Sequence, residues 1–313
     1  YLARKSEVGA LSGYIGKKTV AELSASNCNT CLAKMLKDYN RSTVKKCHDL
    51  LKQYVNYLFS NDVIAEDFSD SIQAIIVRKD NSNDEAEHLI FDTSEYDAIK
   101  DLALCEKVSM FEKAKVQNLQ YKALIMYIAL LTGMRIGELR ALKLNKINYK
   151  EHYININKAY SRIEHGEDLL DPKTKNSSRK IGINSHVEEC LSLAASLRPS
   201  DKTDFLCITS LGTSVTDRTF LKWFNAVLNE AGIEKNGRSP RALRHTFISL
   251  SMDNDKRSPL WNKSISFISK YVGHSKTSTT TDIYTQVKGS AIQKVKDDNK
   301  KELEVLELSF DDD

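Results

Sequence analysis

Apolar residues three and four positions apart recur along most of the chain, and this period is typical of amphipathic helices. Residues 1–90 follow it and are predicted to form a helical module. Its clearest helix is predicted from Ser42 to Ser60, with Ser42 or Thr43 as the N-cap. The apolar face of this helix comprises Val44, Cys47, Leu50, Leu51, Tyr54, Val55 and Leu58.

A second group of helices is predicted from residue 93 onward. The sequence Thr93-Ser94-Glu95 is typical of a helix start. A strongly apolar helix is expected to end at Gly133 and has its core positions at Leu124, Tyr127, Ile128 and Leu131. A short helix is predicted to follow around Ile136, Leu139 and Leu142.

The apolar period changes to two at residues 153–157 and again at 179–183, which predicts two strands of one small sheet. The Pro, Asn and Ser residues between 171 and 178 predict a turn that presents lysines. From His186 onward the helical period returns. With 12 glycines and 4 prolines in 313 residues, the predicted fold class is mainly α with a small antiparallel β-sheet.

Residues 78–87 contain no large apolar side chain, and this composition predicts an exposed linker. A length of 313 residues also exceeds the usual size of one domain. We therefore expect two domains, residues 1–85 and residues 86–313, and we treat residues 286–313 as a C-terminal tail.

The formal net charge of +4 is unevenly distributed. The last thirteen residues hold one Lys against three Glu and three Asp, a net charge of −5, which leaves +9 on residues 1–300. A basic body with an acidic tail favours a polyanionic partner such as DNA.

Six cysteines occur in a chain that has no signal-like start and no apolar run of the ~20 residues that span a membrane. We therefore expect a cytoplasmic protein with reduced thiols and no contact with a membrane. The spacing of Cys28, Cys31 and Cys47-His48 is similar to that of metal ligands, but no second pair completes a site. We interpret these cysteines as buried helix residues.

Four separated segments carry residues suited to phosphate chemistry, and their order is more specific than any one of them. In chain order they are Thr132-Gly-Met-Arg-Ile-Gly-Glu-Leu139, Pro172-Lys-Thr-Lys175, Pro240-Arg-Ala-Leu-Arg-His-Thr-Phe247 and Gly273-His-Ser-Lys-Thr-Ser-Thr-Thr-Thr-Asp-Ile-Tyr284. In order and spacing they resemble the motifs of the tyrosine recombinases, the family of phage and conjugative-transposon integrases. The resemblance covers essentially the whole chain.

This resemblance implies a helical core-binding domain followed by a tyrosine-recombinase catalytic domain. It implies cleavage and rejoining of double-stranded DNA at recombination sites through a 3′-phosphotyrosine, with integration or excision of a mobile element. Neither a metal nor another cofactor is implied. The implied assembly is a tetramer that acts on two duplexes through a Holliday junction, assisted in some reactions by an accessory directionality protein.

The resemblance also assigns residue roles. Arg135 and Arg244 match the paired phosphate clamps, and Glu138 matches the acidic residue that supports the first of them. Lys173 matches the hairpin lysine, and His274 matches the histidine that precedes the nucleophile. Guanidinium groups stay charged and fit phosphate oxygens, so the residue types suit these roles.

Tyr284 matches the nucleophile. A tyrosine hydroxyl titrates near pH ~10, so Tyr284 must either lose its proton during attack or have its pKa lowered by nearby cations, which the arginines and His274 could supply. Lys173 can release a proton where arginine cannot, which makes it the candidate general acid for the 5′-hydroxyl leaving group, with Lys175 as the alternative.

One position departs from the family pattern. The residue three before Arg244 is usually His or Lys, and here it is Arg241. Arginine is not a general base at neutral pH, so we expect Arg241 to contribute charge or to anchor DNA. Water, His245 or the phosphate itself is left to accept the proton of Tyr284, and we favour a structural hydrogen-bonding role for His245.

Further basic residues are expected to contact DNA, namely Lys45, Lys46, Lys175 and Arg179. Residues 252–263 lengthen the segment before Gly273, and we interpret them as an inserted loop. This loop either contacts DNA through Lys256 and Arg257 or is solvated, and we favour solvation. The apolar positions Leu303, Leu306 and Phe310 predict a short helix in the tail. The family resemblance implies that this helix docks on a neighbouring protomer, and the alternative is that it packs on its own domain or frays.

Three other functions remain open on the sequence. A chromosome-dimer resolvase of the Xer type and a type IB topoisomerase would share this chemistry and differ in target and assembly. A DNA-binding regulator that has lost cleavage would differ in class, and Arg241 is the one feature in its favour.

Overall fold

A computed structural model describes residues 2–73, 90–105, 113–163, 166–171 and 178–285. Backbone contacts group the chain into two units, Tyr1–Ala86 and Glu87–Asp313. The predicted linker at 78–87, Lys173 and Lys175, and the tail at 286–313 lie outside the described residues. No helix in the described ranges is long and apolar enough to cross a membrane.

Within residues 2–73, the first unit contains three helices, α1 (Leu2–Ser12), α2 (Ala25–Asp38) and α3 (Arg41–Ser60). Two 3₁₀ turns accompany them, Val20–Glu22 and Ser69–Ser71. Apolar faces of the helices meet in one core, which contains Leu11, Cys28, Cys31, Leu32, Met35, Val44, Cys47, Leu51, Val55 and Ile72. The interpretation of Cys28, Cys31 and Cys47 as buried helix residues is therefore confirmed.

Helix α3 begins earlier than predicted. Its N-cap is Asn40, whose side chain accepts a hydrogen bond of 2.9 Å from the backbone N–H of Thr43. The prediction of Ser42 or Thr43 as the cap was wrong, because Asn40 is an equally good capping residue and reaches Thr43 from an extended backbone. Lys45 and Lys46 lie on α3 and are exposed.

The second unit is built around α5 (Lys113–Thr132), in which every residue from Tyr121 to Thr132 except Lys122 is buried. A helix that is apolar on all faces must be covered on all sides. The covering helices are α4 (Thr93–Ala103), α7 (Ser185–Ser196), α8 (Asp217–Glu230) and α9 (Arg241–Met252). The remaining helical elements are α6 (Ile136–Arg140), a 3₁₀ turn at Leu144–Lys146, α10 (Ile265–Val272) and residues 277–285.

In the described part of the chain, five strands form two small antiparallel sheets. In the first sheet, β2 (Tyr153–Ile156) lies between β1 (Ile147–Asn148) and β5 (Arg179–Gly182), with Ile154 opposite Ile181. The two predicted strands are thus neighbours, as expected. The second sheet is a hairpin of β3 (Ala159–Ile163) and β4 (Gly166–Leu170), which the sequence did not predict because its residues do not alternate between apolar and polar.

The predicted start of α4 and the predicted end of α5 are confirmed. Helix α4 begins at Thr93, where Asp92 and Glu95 form a capping box. Helix α5 ends at Thr132, and Gly133 follows with a φ of +61°. A Cβ atom at position 133 would lie 2.3 Å from Cδ1 of Phe247, so only glycine fits this turn.

The segment predicted to be a solvated loop is partly packed. Ser258 and Leu260 are buried. Arg257 donates to Asp255 at 2.5 Å, and its guanidinium lies 5.5 Å from the centroid of the Tyr96 ring. The expectation that Arg257 is solvated was wrong, because its side chain lies between the carboxylate of Asp255 and the ring of Tyr96.

All six cysteines lie in the described part of the chain, and none forms a disulfide bond. Cys105 is half-buried and the other five are buried. Burial raises the pKa of the five buried thiols, to about 11 for Cys31 and Cys190 and to about 12 for Cys207. These five thiols are therefore protonated at neutral pH.

Candidate active site

The left-handed turn at Gly133 places Arg135 at the start of α6. Arg135 is the N-cap of this helix, and its backbone N–H donates to Oε2 of Glu138 at 2.9 Å. The guanidinium of Arg135 donates to Oε1 of the same carboxylate at 2.9 Å. The spacing of three residues between Arg135 and Glu138 is therefore that of a capping box, which fixes both side chains locally.

Glu138 is a buried carboxylate with a second arginine partner. Arg179, at the start of β5, donates to Oε1 at 2.9 Å and to Oε2 at 3.0 Å. Burial acts to raise the pKa of Glu138, but the hydrogen bond and charge of Arg179, with the charges of Arg135 and Arg244, hold it below its usual range. Glu138 is therefore ionised at neutral pH.

Arg244 lies on α9 and is 8% exposed. Its guanidinium donates to the carbonyl of Gly133 and to the carbonyl of Val272, both at 2.7 Å. Burial and the charge of Arg135 lower the pKa of Arg244 to about 9, with Arg179 adding to this effect and Glu138 opposing it. Arg244 therefore keeps its positive charge at neutral pH.

Three consecutive carbonyls at the end of α10 each accept a hydrogen bond from a different arginine. The carbonyls belong to Tyr271, Val272 and Gly273, and Gly273 ends the helix in the left-handed conformation. The donors, in the same order, are Arg179 Nε (2.6 Å), Arg244 Nη2 (2.7 Å) and Arg135 Nη2 (2.7 Å). The last carbonyls of a helix have no partner within it and carry partial negative charge, which makes them natural acceptors for guanidinium groups.

His274 follows these carbonyls directly. Its Nδ1 lies 2.8 Å from the hydroxyl of Thr280, which is fully buried. Burial, together with the charges of Arg244, Arg135 and Arg179 and of His245, lowers the pKa of His274 to about 3. The ring is therefore neutral at neutral pH. If Nδ1 accepts the Thr280 proton, Nε2 carries the ring proton and is a donor.

An open cleft of about 560 Å³ joins these groups. The basic residues that line it are Arg135, Arg241, Arg244, His245 and His274. They come from three of the four sequence motifs, so the fold brings together five of the predicted site residues. A cleft lined by guanidinium groups and a neutral imidazole can bind a phosphate group through charge and hydrogen bonds.

Tyr284 lies on the helical segment 277–285. Its hydroxyl donates to Oδ1 of Asp253 at 2.8 Å. The preceding residue, Ile283, lines the cleft, whereas Tyr284 is not among the described residues that line it. In this structure the hydroxyl of Tyr284 is thus engaged with Asp253.

Arg140 fixes the β3–β4 hairpin against α6 and α8. It is 1% exposed and pairs with Glu167 of β4 and Asp217 of α8. Its guanidinium carbon lies 5.2 Å from the centroid of the Tyr160 ring. Both Tyr160 and Asp217 line the cleft, so this buried arginine shapes one wall of it.

Residues 101–290 match the model of the phage integrase family. The match covers more than half of the chain and contains all four motifs. The chain belongs to the phage integrase family.

Two curated relatives agree with this membership. A XerC-like tyrosine recombinase of Caldanaerobacter subterraneus subsp. tengcongensis is 25% identical over 266 residues, which cover 78% of this chain and 62% of that protein. The integrase of Staphylococcus phage L54a is 33% identical over 187 residues, which cover 54% of this chain and 50% of the phage protein. The chain thus spans between half and two thirds of the length of these two relatives.

Solved structures show the same fold at low sequence identity. The Tn1549 transposon integrase in complex with transposon right end DNA superposes with a TM-score of 0.71 at 17% identity, covering 94% of this chain and 92% of that chain. A lambda integrase dimer bound to a COC′ core site gives a TM-score of 0.62 at 13% identity, with coverages of 90% and 87%. The predicted fold class is therefore confirmed for this family member.

Three contacts of the site could not be inferred from the motifs. Asp253 and Thr280 were not predicted to contact site residues, although Thr280 lies inside the last motif. Arg179 was expected to contact DNA, but its side chain is 8% exposed and is bound to Glu138. The guanidinium of Arg179 is committed to a buried carboxylate and a helix carbonyl, and its contact with DNA stays a prediction. A positive charge at the first residue of a strand was the only sequence signal.

Proposed function

We propose that the chain is a site-specific DNA recombinase that integrates or excises a mobile element. The observation that carries this proposal is the position of Arg135, Arg244 and His274. All three line one cleft, and the two arginines donate to the carbonyls immediately before His274. Membership of the phage integrase family supports the same function.

In the proposed reaction a DNA phosphate occupies the cleft. Arg135 and Arg244 bind its non-bridging oxygens and stabilise the charge that develops as the nucleophile approaches. In the tautomer in which Nδ1 accepts the proton of Thr280, neutral His274 donates a hydrogen bond to the phosphate from Nε2. Arg241 adds positive charge at the exposed start of α9.

The hydroxyl oxygen of Tyr284 attacks the phosphorus, so that one P–O bond forms while the bond to the 5′ oxygen breaks. The tyrosine proton passes to water, His245 or the phosphate, and Lys173 donates a proton to the departing 5′ oxygen. In the reverse step a 5′-hydroxyl attacks the 3′-phosphotyrosine. Since the bond energy is kept in the phosphotyrosine, religation needs no nucleotide.

The proposal assigns DNA binding to residues 1–85 as well, where Lys45 and Lys46 are exposed on α3. The proposed assembly is a tetramer of the chain on two duplexes, with an accessory protein that sets direction. It would act on chromosomal DNA in the cytoplasm. Two alternatives would give different experimental outcomes. A type IB topoisomerase relaxes supercoils without exchanging strands, and a DNA-binding regulator that has lost cleavage binds DNA without cutting it.

A suicide substrate tests the proposal. It is a half-site taken from sequenced element–chromosome junctions, with a nick that lets the cleaved fragment diffuse away. Wild-type protein is expected to give a DNA-linked band on a denaturing gel, and Tyr284→Phe is expected to give none while binding the half-site as before. Without a band from the wild type, the proposal fails.

A matched control is Tyr271→Phe. Burial raises the pKa of Tyr271 well above its usual range, and its hydroxyl donates to the carbonyl of Gly182 at 3.0 Å. This tyrosine is therefore unsuited to attack, and the variant is expected to keep the covalent band. A band that persists in Tyr284→Phe and disappears in Tyr271→Phe would assign the nucleophile to Tyr271.

A further inference from the structure

The side chain of Arg179 is buried and binds residues of the candidate active site. Its side chain is 8% exposed. Two of its nitrogens bind the two oxygens of Glu138, at 2.9 and 3.0 Å, and its Nε donates to the carbonyl of Tyr271 at 2.6 Å. Three directed hydrogen bonds from one buried guanidinium fix the orientation of that group.

Arg179 binds Glu138 and the carbonyl of Tyr271, and both of these lie beside residues that line the cleft. Glu138 also holds both the backbone and the guanidinium of Arg135. Tyr271 begins the row of three carbonyls that precedes His274, and the other two carbonyls accept from Arg244 and Arg135. Arg179 is thus the one described residue that binds both Glu138 and this row from a strand outside the motifs.

We propose that Arg179 is a positioning residue for the strand-cleavage step, holding Glu138 against Arg135 and fixing the end of α10 from which His274 follows. This inference rests on the proposed function for the reaction that it affects. The geometry that supports it is independent of that function.

The chemistry requires a guanidinium at this position. The planar group presents parallel N–H donors to both oxygens of Glu138 while Nε points to a third acceptor. A lysine ammonium keeps the charge, but it cannot reproduce two parallel bonds and a third at a fixed angle. Arg179→Lys is therefore expected to restore only part of the activity that Arg179→Met loses.

The first test separates positioning from DNA contact. In the positioning role, Arg179→Met lowers the single-turnover cleavage rate at saturating DNA by ~10²-fold, since small displacements of reacting groups have effects of this size. Half-site affinity and its salt dependence stay near the wild-type values. In a phosphate-contact role the affinity falls and the salt slope decreases by about 1, while the rate at saturation is unchanged. That second result would overturn the proposal.

Lys180 provides the matched control. It is the next residue of β5, it is exposed, and its ammonium lies 4.2 Å from the centroid of the Tyr153 ring. Lys180→Met removes the same charge from the same strand without touching Glu138 or α10. It is expected to cleave at the wild-type rate, and an equal loss in both variants would contradict a specific role for Arg179.

The pH profile adds a signature that a general loss of stability would not give. Glu138 is faced by Arg135 from α6, Arg179 from β5 and Arg244 from α9, while the nearby His274 is neutral. Without Arg179, burial raises the pKa of Glu138. As the pH is lowered, cleavage by Arg179→Met should therefore begin to fall at a higher pH than cleavage by the wild type. Glu138→Gln in the same background should abolish this shift.

A second test needs no catalysis. Both tryptophans of the chain, Trp223 and Trp261, lie in the second unit, so their fluorescence follows its unfolding in urea. Arg179→Met should lower the urea concentration at the unfolding midpoint strongly in the wild-type background. In the Glu138→Gln background it should lower this midpoint only slightly. Equal losses in both backgrounds would refute the coupling. If Arg179→Met does not fold, Arg179→Lys replaces it in the same cycle.

The two proposals fail in different ways. If wild-type protein does not cleave, the proposed function is wrong, and the unfolding cycle still reports whether Arg179 and Glu138 are coupled. If wild-type protein cleaves and Arg179→Met cleaves equally fast, the positioning role is wrong and the proposed function stands.

Discussion

The hydroxyl of Tyr284 donates a hydrogen bond of 2.8 Å to the carboxylate of Asp253, the residue that follows α9. In the proposed reaction this bond must break before the oxygen can approach a phosphate bound by Arg135 and Arg244. The contact thus stabilises a form of the chain in which the proposed nucleophile is not yet aligned with the cleft.

Asp253→Ala is predicted to accelerate covalent complex formation. A hydrogen bond to a charged acceptor in a partly exposed place contributes about 1 kcal/mol, which corresponds to about 5-fold in rate when alignment of Tyr284 limits the reaction. Single-turnover cleavage of the nicked half-site measures this. Asp253→Asn keeps an acceptor without the charge and should give an intermediate rate. A slower reaction in Asp253→Ala would indicate that the carboxylate assists the attack.

The low pKa of His274 predicts a pH-dependent stability. In the folded chain this pKa is about 3, whereas an unfolded histidine titrates near pH ~6.5. Between these values the unfolded state binds a proton that the folded state does not, so stability is lost as the pH falls through this window. From pH 6.5 to 4.5 the loss due to His274 is at most about 2 kcal/mol, since solvent screening at this partly exposed ring reduces it.

His274→Asn isolates this contribution from that of the carboxylates. Urea unfolding followed by tryptophan fluorescence at pH 6.5 and 4.5 should show a smaller acid-induced loss in the variant than in the wild type. An identical loss in both proteins would show that folding does not lower the pKa of His274.

Lys173→Ala is predicted to lose cleavage and to recover it on a substrate whose 5′ bridging oxygen is replaced by sulfur. A thiolate leaves without a proton, so the general acid becomes unnecessary. Lys175→Ala should show no such selective recovery in the same single-turnover assay. The reverse pattern would assign the general acid to Lys175.

Gly133→Ala is predicted to destabilise the second unit by about 2 to 4 kcal/mol. The change adds a strained left-handed backbone and a contact with Phe247 at 2.3 Å. Gly232→Ala is the control, since Gly232 has a φ of +68° and no atom within 4 Å of the added carbon. It should lose only about 1 kcal/mol in the same urea experiment. Equal losses would mean that Phe247 moves freely.

Truncation after Lys300 is predicted to spare half-site binding and to weaken cooperative assembly and recombination. The reason is the apolar spacing of Leu303, Leu306 and Phe310, since a segment this short is not stable as a free helix. Native gels of half-site and full-site complexes measure both effects. Unchanged assembly in the truncated chain would remove the case for docking on a neighbouring protomer.

The sequence predicts those parts of the chain whose signal is local. Helix α3 was predictable because its apolar period extends over five turns, and the second half of α5 because it is almost continuously apolar. The end of α5 was predictable because glycine is favoured where a helix ends with a positive φ, as Gly133 does. The cap of α3 was missed because Asn40, Ser42 and Thr43 all suit that role and only the folded backbone selects among them.

Side-chain partners that are far apart in the sequence were not predictable. Arg179 binds a carboxylate 41 residues earlier and a carbonyl 92 residues later, and Tyr284 binds an aspartate 31 residues earlier. An arginine on a strand has the same local pattern whether it contacts DNA or a buried glutamate. The choice between them depends on the packing of α6, β5 and α10, which no short segment encodes.

The distribution of the six thiols gives the chain a single preferred site for covalent labelling. Five cysteines are buried and protonated at neutral pH, whereas Cys105 is half-buried. Because maleimide reagents react with accessible thiolates, a fluorophore should attach first at Cys105. The native sequence could then carry one dye per chain, and the stoichiometry of chains on DNA could be counted from photobleaching steps without replacing any cysteine.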